Sequence, residues 1–414
     1  MLQQSLRRIY PTFVATVTVL MVYLYWWQES EVDTIPYYNP NGDQLILRQV
    51  ENFSLGEQLG NKSRINDIHL PVEGNWCGDN NVWNNYAIFH RDVLRGHRKG
   101  NGYLRYYCRP TYQRCGGYGN RIQAITVALI MAMLTDRVFL MEMTYPLQLL
   151  DYLGPNAIRW DINVVPHTIV EHDLYSPTRI SRYWLPFAED LLSPSGPELI
   201  EFRSNEGFEF FYPQMLKSPV ILERFLSLGV SNRTHFASLY GCTTKFLFRP
   251  RPITSWSVMS QLSSLGLTTG KYVAVHIRTS LSSLDCGPRH ATPESWAKFL
   301  QCALLASERL AKLLGLDYTL IYVASDEDVV KEFALRNYGE RVVLSQVYTL
   351  HVDRPRVDTP QLLHEGFLGM LSDMEVLSRA AILIKSHSTF SDVIEGLGLF
   401  LPNESFIVND CPYT

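Results

Sequence analysis

"QRCGGYGNRIQAITVALIMAMLTDRVFLMEM", residues 113–143, runs from a glycine-rich turn through a long apolar helix into a buried strand. Ile122, Ile125, Leu129, Ala132 and Met133 recur at 3–4 spacing, which predicts a helix over 119–135 with one broad apolar face. "RVFLMEM" then reads as a buried strand. In the turn, Gly116, Gly117 and Gly119 let backbone approach closely, Asn120 suits an unusual backbone angle or an amide contact, and Arg121 supplies charge. Such a turn at a helix start suits a phosphate, or simply caps a core helix. It is not G-x-G-x-x-G, and the preceding "YLRYYCRPTYQRC" is short and broken by Pro110, so a dinucleotide-binding turn is disfavoured.

Toward the C-terminus the alternation becomes regular. "KYVAVHIR" (271–278), "YTLIYVASDED" (318–328), "RVVLSQ" (341–346), the start of "ILIKSHSTFSDVIEGLG" (382–398) and "SFIVND" (405–410) read as strands. Helices fall between them, at 292–315 (opened by Thr292 and Pro293) and at 362–381. Strand and helix in turn predict a doubly wound parallel sheet, with ligand groups at the carboxyl ends of its strands. The first strand ends in His276-Ile277-Arg278, the second in Ser325-Asp326, and the fourth runs into Ser388-Thr389-Phe390. His-x-Arg places two side chains on one face of a strand tip. The Arg278 guanidinium suits two phosphate oxygens, and Ser388-Thr389 at a helix start suits an anion. Taken singly, the first is a surface ion pair and the last an N-cap. Three such tips on one sheet point to a ligand crevice.

Composition limits the class. With 37 Lys+Arg against 41 Asp+Glu the net charge is −4, which disfavours a nucleic-acid partner. Ile9 to Trp27 is an uncharged run of about 19 residues, near the ~20 that cross a bilayer. Arg7 and Arg8 precede it, and Tyr23, Tyr25, Trp26 and Trp27 close it. This predicts a cytosolic tail (1–8), one transmembrane helix (9–27) and a lumenal remainder, with a cleaved signal peptide as the alternative. Residues 28–70 read as a polar stem. Sequons at Asn52, Asn61, Asn232 and Asn403 agree with a lumenal body. There are seven cysteines and no C-x-x-C; in an oxidising compartment Cys108 and Cys115, flanking a short Pro-containing loop, are the pair expected to bridge.

Together "GGYGNR" (116–121), "HIR" (276–278), "YVASDED" and "SDMEVLSRAAILIKSHSTFSD" (372–392) resemble the GDP-fucose-dependent fucosyltransferase superfamily of α1,2, α1,6 and protein-O type. The 116–141 region is especially similar to plant xyloglucan-type α1,2-fucosyltransferases. The resemblance implies a GT-B fold, with two facing Rossmann-like domains at 71–265 (acceptor side) and 266–414 (GDP-sugar side). It implies an inverting, metal-independent transfer of fucose from GDP-fucose to a glycan acceptor, with no cofactor, in a single-pass type II Golgi membrane protein. Carried over by position, Arg278 binds the β-phosphate and Asp373 reads guanine, while His276 and Asp326 lie beside the nucleotide. Ser388, Thr389 and Phe390 hold phosphate and ribose. Gly117, Gly119, Asn120 and Arg121 approach from the other domain, with Arg278 and Asn120 as the catalytic pair.

The chain departs from the pattern in one place: many members carry a second basic residue where Thr279 stands. No general base is evident; Asp285, Glu142 and Glu365 are the candidates. A non-catalytic binder of the same fold, or a transferase using another nucleotide sugar, are the competing readings. Acceptor contacts are expected in the loops of about 150–250, where "EFRSNEGFEFFYPQ" carries stacking aromatics.

Overall fold

The structure is a computed structural model that describes residues 80–414, except 113–114, 194, 229–235, 280–292, 346–349, 351, 353–358, 399, 401–404, 408–410 and 412–414. The predicted tail, transmembrane helix and stem, and all four sequons, lie outside the described residues. Among those described, no helix is long and apolar enough to cross a membrane. The described residues belong to one compact unit.

Two parallel sheets organise it. In the first half, β1 (Tyr103–Cys108), β2 (Val138–Met143), β4 (Ile169–Asp173) and β5 (Leu199–Arg203) align in the order β2-β1-β5-β4, every neighbouring pair parallel. A short antiparallel ribbon, β3 (Leu153–Pro155) with β6 (Phe248–Pro250), lies apart from it. In the second half, β7 (Val273–Ile277), β8 (Ile321–Ser325), β9 (Val342–Leu344), β10 (Ile382–Lys385) and β11 (Ser405–Ile407) align as β11-β10-β7-β8-β9, again all parallel. The five strands read from the second half's sequence are therefore present, within a mixed α/β architecture that fits GT-B. The strand judged weak before the glycine turn is present as well: β1 is the second strand of its sheet, and its apolar alternate positions anchor it there.

The helices are α1 (Asn80–Leu94), α2 (Tyr118–Leu134), α3 (Pro177–Leu192), α4 (Phe208–Met215), α5 (Pro219–Ser227), α6 (Phe236–Leu247), α7 (Pro252–Ser264), α8 (Pro293–Leu314), α9 (Asp328–Tyr338), α10 (Pro360–Ser378) and α11 (Thr389–Leu397). Local chemistry sets their starts: Ser176 caps α3 and Thr359 caps α10, each accepting an N–H of the first turn, with Pro at the first helical position. The glycine-turn helix α2 is buried nearly all round rather than along one face. It packs on the first sheet and also against α6 and α11, so apolar residues are needed on every side.

The second sheet is covered on both faces. Val273, Val275, Ile321, Val323, Ile382 and Ile384 pack under α8 and α9, while Ala274, Tyr322 and Leu383 join the main core with Phe367, Leu371 and Met374 of α10. That main core continues without a break into the first half. At its centre α6 and α11 cross almost backbone to backbone: a Cβ at Gly241 would lie 1.8 Å from the Gly396 carbonyl oxygen, and one at Gly396 would lie 1.7 Å from that of Ala237.

The first sheet differs. Leu104, Tyr106, Phe139, Met141, Ile200 and Phe202 face the core. On the other face Val138, Leu140 and Leu199 are buried apolar side chains, and the remaining strand positions include charges that pair across strands, Arg105 opposite Glu201 and Arg203 opposite Asp173. The Arg109 guanidinium spans Glu142 (2.6 Å) and Glu201 (2.6 Å), Arg105 reaches Glu201 at 3.1 Å, and Arg203 reaches Asp173 at 2.7 Å. Tyr107 donates its hydroxyl to Glu171.

Candidate functional site

The chain runs β7 to β8 to β9 in one direction and returns with β10 on the other side of β7, so the order reverses between β7 and β10. Ligands of open parallel sheets bind outside the carboxyl ends at such a reversal. Here the Ser386 N–H donates to the His276 carbonyl at 3.0 Å, and the Ser386 hydroxyl accepts the Arg278 N–H at 2.8 Å. The two tips are thereby stitched together. The Arg278 guanidinium, partly open to solvent at 21 %, pairs with the Asp326 carboxylate at 2.8 Å across to the tip of β8. The other Asp326 oxygen accepts both the backbone N–H (2.7 Å) and the hydroxyl (3.2 Å) of Thr279. Thr279 thus fixes the carboxylate that aims Arg278.

His276 does not face this crevice as a charge. Its Nδ1 lies 2.6 Å from the Ser391 hydroxyl on α11, and its ring sits 5.2 Å from that of Phe390. Burial lowers its pKa to about 4, Arg278 and Lys385 add to the lowering and Asp326 opposes it, so the ring is neutral. It serves to seat α11. Lys385 does the same from β10: burial alone would lower its pKa, but Asp392 (2.8 Å) and Glu395 (2.6 Å) on α11 more than offset that and raise it.

Asp373 on α10 is half-buried, and one of its oxygens accepts from Tyr322 (2.7 Å), Ser345 (2.7 Å) and Gln261 (3.1 Å). Burial raises its pKa while these donors pull it back. The three donors come from β8, the end of β9 and α7, a combination that sequence reading did not reveal.

The glycine turn meets the second half directly. A Cβ on Gly119 would lie 2.4 Å from the Phe390 nitrogen, so this glycine admits the first turn of α11 rather than a ligand. Gly116 holds φ +76°, the left-handed turn that brings the chain into α2, and Gly117 precedes the helix as its N-cap. Asn120 donates its amide to the Asn205 carbonyl (3.0 Å) and accepts the Thr389 hydroxyl (2.6 Å), joining the two halves through one side chain. Ser388 caps α11, accepting the Phe390 N–H at 3.2 Å. Arg121 corrects the expectation placed on it. It is fully buried, donating to the carbonyls of Gly116 (2.9 Å), Tyr145 and Val352 (3.3 Å), so its charge neutralises backbone dipoles inside the protein and does not reach a ligand.

Of the acid/base candidates, Glu142 is held by Arg109, whose hydrogen bond lowers its pKa and makes it a poor base. Glu365 is exposed on α10, where its Oε1 accepts the Gln361 amide at 2.8 Å, and Asp285 lies outside the described residues. The predicted Cys108–Cys115 disulfide is present and ties the end of β1 to the glycine turn; a second, Cys302–Cys411, links α8 to the C-terminal segment, and Cys242 is bridged too. Two cavities, of about 460 and 260 Å³, adjoin the first sheet: Glu171, Asp173, Arg179 and Tyr183 line one, and Arg105, Glu142, Gln148 and Trp160 the other. Neither is lined by a strand-tip residue of the second sheet.

No family model matches this sequence, and no curated protein matches it. Among solved structures, a point mutant of Arabidopsis thaliana FUT1 in complex with GDP superposes with TM-score 0.51 at 14% identity, covering 79% of this chain and 77% of that one. The NodZ α-1,6-fucosyltransferase co-crystallised with GDP matches at TM-score 0.42 and 13% identity, over 73% and 93% of the two chains. NodZ from Bradyrhizobium matches at TM-score 0.43 and 12% identity, over 73% and 94%. The first of these shows that this chain shares its fold.

Proposed function

We propose that this chain is a fucosyltransferase that moves fucose from GDP-fucose to a glycan hydroxyl. The observation that carries the reading is the Arg278–Asp326 pair at the reversal point of the second sheet, with Thr279 and Ser386 fixing both partners. An arginine so held is preorganised for a diphosphate. The fold shared with a GDP-complexed fucosyltransferase supports the same ligand.

In this reading GDP lies across the tips of β7, β8 and β10. Arg278 meets the β-phosphate and takes up the charge that grows as the fucose–oxygen bond breaks, an interaction strongest in the transition state. Asp373 reads guanine with the carboxylate oxygen that takes none of its three internal bonds. Ser388, Thr389 and Phe390 flank phosphate and ribose, while Asn120 approaches from the first half. The transfer is inverting and metal-independent, of α1,2 type, in a Golgi membrane protein of type II topology whose body is lumenal and anchored by residues 9–27.

The test is GDP release from GDP-fucose by the full chain with an oligosaccharide array and no added metal. Arg278→Ala is expected to lower kcat/KM by about 100-fold or more, roughly 3 kcal/mol. Turnover within a few-fold of wild type would remove Arg278 from the leaving-group role. Tight GDP binding without transfer to any glycan would instead mark a non-catalytic binder, and stronger thermal stabilisation by UDP than by GDP would mark another donor.

A further inference from the structure

The proposed reaction leaves the acceptor's proton without a destination, since the carboxylates singled out in the sequence are ion-paired, exposed or outside the described residues. The loop after β5 supplies another. Ser204, Asn205 and Glu206 sit at the carboxyl end of the first sheet, beside the glycine turn. The Ser204 hydroxyl donates to the Leu174 carbonyl (2.9 Å) and accepts the Glu206 N–H (3.1 Å), which fixes the loop from below. The Asn205 carbonyl accepts from Asn120, which in turn accepts from Thr389 at the start of α11. Glu206 is thus one residue from the point where the two halves meet and the carboxyl ends of both sheets converge. Gly207 follows, and a Cβ there would lie 2.6 Å from the Tyr240 hydroxyl, so the loop lies tight against α6.

We propose that Glu206 is the general base that takes the proton of the acceptor hydroxyl. The inference rests on the transfer reaction proposed above. The acceptor O–H loses its proton to the Glu206 carboxylate, and the acceptor oxygen forms a bond to the anomeric carbon. The bond from that carbon to the β-phosphate oxygen breaks with its electron pair leaving on GDP, opposite Arg278.

Half-burial suits this chemistry. Desolvation, followed by repulsion from Glu209, raises the Glu206 pKa to about 7, close to the optimum for accepting a proton at neutral pH. No ion pair with a basic side chain opposes this among the described residues. Its charged neighbour is Glu209 on α4, which accepts the Tyr240 hydroxyl of α6 at 3.3 Å and is itself influenced by Asp392 on α11.

The experiment takes the full chain and the oligosaccharide that the wild type fucosylates most rapidly in the array. Glu206→Gln is expected to lower kcat by about 100-fold or more, within the range of general-base catalysis. The KM for GDP-fucose and the thermal stabilisation by GDP should be unchanged, and Glu206→Asp should recover part of the rate. Wild-type kcat/KM should rise with pH through about 7, and Glu209→Gln, by removing a like charge, should move that limb to lower pH. A Glu206→Gln rate within threefold of wild type, or an acid limb unmoved in Glu209→Gln, overturns the proposal while leaving the transferase reading intact. A wild type that fucosylates nothing overturns both.

Discussion

The two sheets of this protein are built from strands of equal kind and opposite composition. In the second, "VAVHI", "IYVAS" and "ILIK" are apolar nearly throughout, because helices cover both faces. In the first, "YLRYYC", "LIEFR" and "IVEHD" alternate, because one face is core and the other carries a row of ion pairs, while β2, "VFLMEM", is apolar except at Glu142. A parallel sheet therefore need not be apolar on both sides, provided each charge on its polar face finds a partner across the strands. Arg109, bridging Glu142 and Glu201, meets that condition, and its own pKa is raised by the hydrogen bonds it donates to Glu142.

This contrast is open to test. The largest effect should come from placing a charge in the second sheet: Val275→Asp, at a fully buried position, is expected to cost about 5 kcal/mol or more and to abolish cooperative thermal unfolding. The sheets would be alike if the variant melted near the wild type. Next, Glu201→Gln leaves Arg105 and Arg109 without their shared carboxylate and should cost roughly 3 kcal/mol in a denaturant titration; a loss below about 0.5 kcal/mol would make the row of ion pairs a surface ornament.

The smallest effect is one the two halves share. His90 on α1 lies 2.9 Å from the Phe139 carbonyl, and burial lowers its pKa to about 4, as it does for His276. Both are neutral when folded and take up protons near pH 6.5 when unfolded. The stability they contribute is full above pH 6.5 and falls as pH drops toward 4. From pH 7 to pH 5.5 each should account for roughly 1 kcal/mol of lost stability, and His90→Gln or His276→Gln should flatten that slope by its own share. An unchanged slope in one variant alone would show that the halves respond differently to acid.

The same contrast explains what could be read in advance. Continuous apolar runs disclosed every strand of the second sheet, whereas β4 and β5 hid behind Glu171, Glu201 and Arg203, and β1 behind Arg105 and Pro110. The tips of β7, β8 and β10 were legible because sheet topology alone brings them together. Arg121 was not, since its meaning depends on the carbonyls of Tyr145 and Val352 as well as that of the nearby Gly116. The ring of donors around Asp373 was hidden for the same reason. Cys108–Cys115 closes a separation of 7 residues and was predictable, while Cys302–Cys411 spans 109 and was not. Glu206 lay within a segment noticed for its aromatic residues, and the feature that singles it out, burial beside a like charge, exists only in three dimensions.

The bare crossing of Gly241 and Gly396 has a mechanical consequence. Where two helices touch through their backbones, no side chain is available to bend or slide, and main-chain atoms block any sliding of the two halves there. The contact is repeated at the start of α11, where Gly119 meets the Phe390 nitrogen and Asn120 holds the Thr389 hydroxyl. α11 is thus bolted to the first half at both of its ends, main chain against main chain.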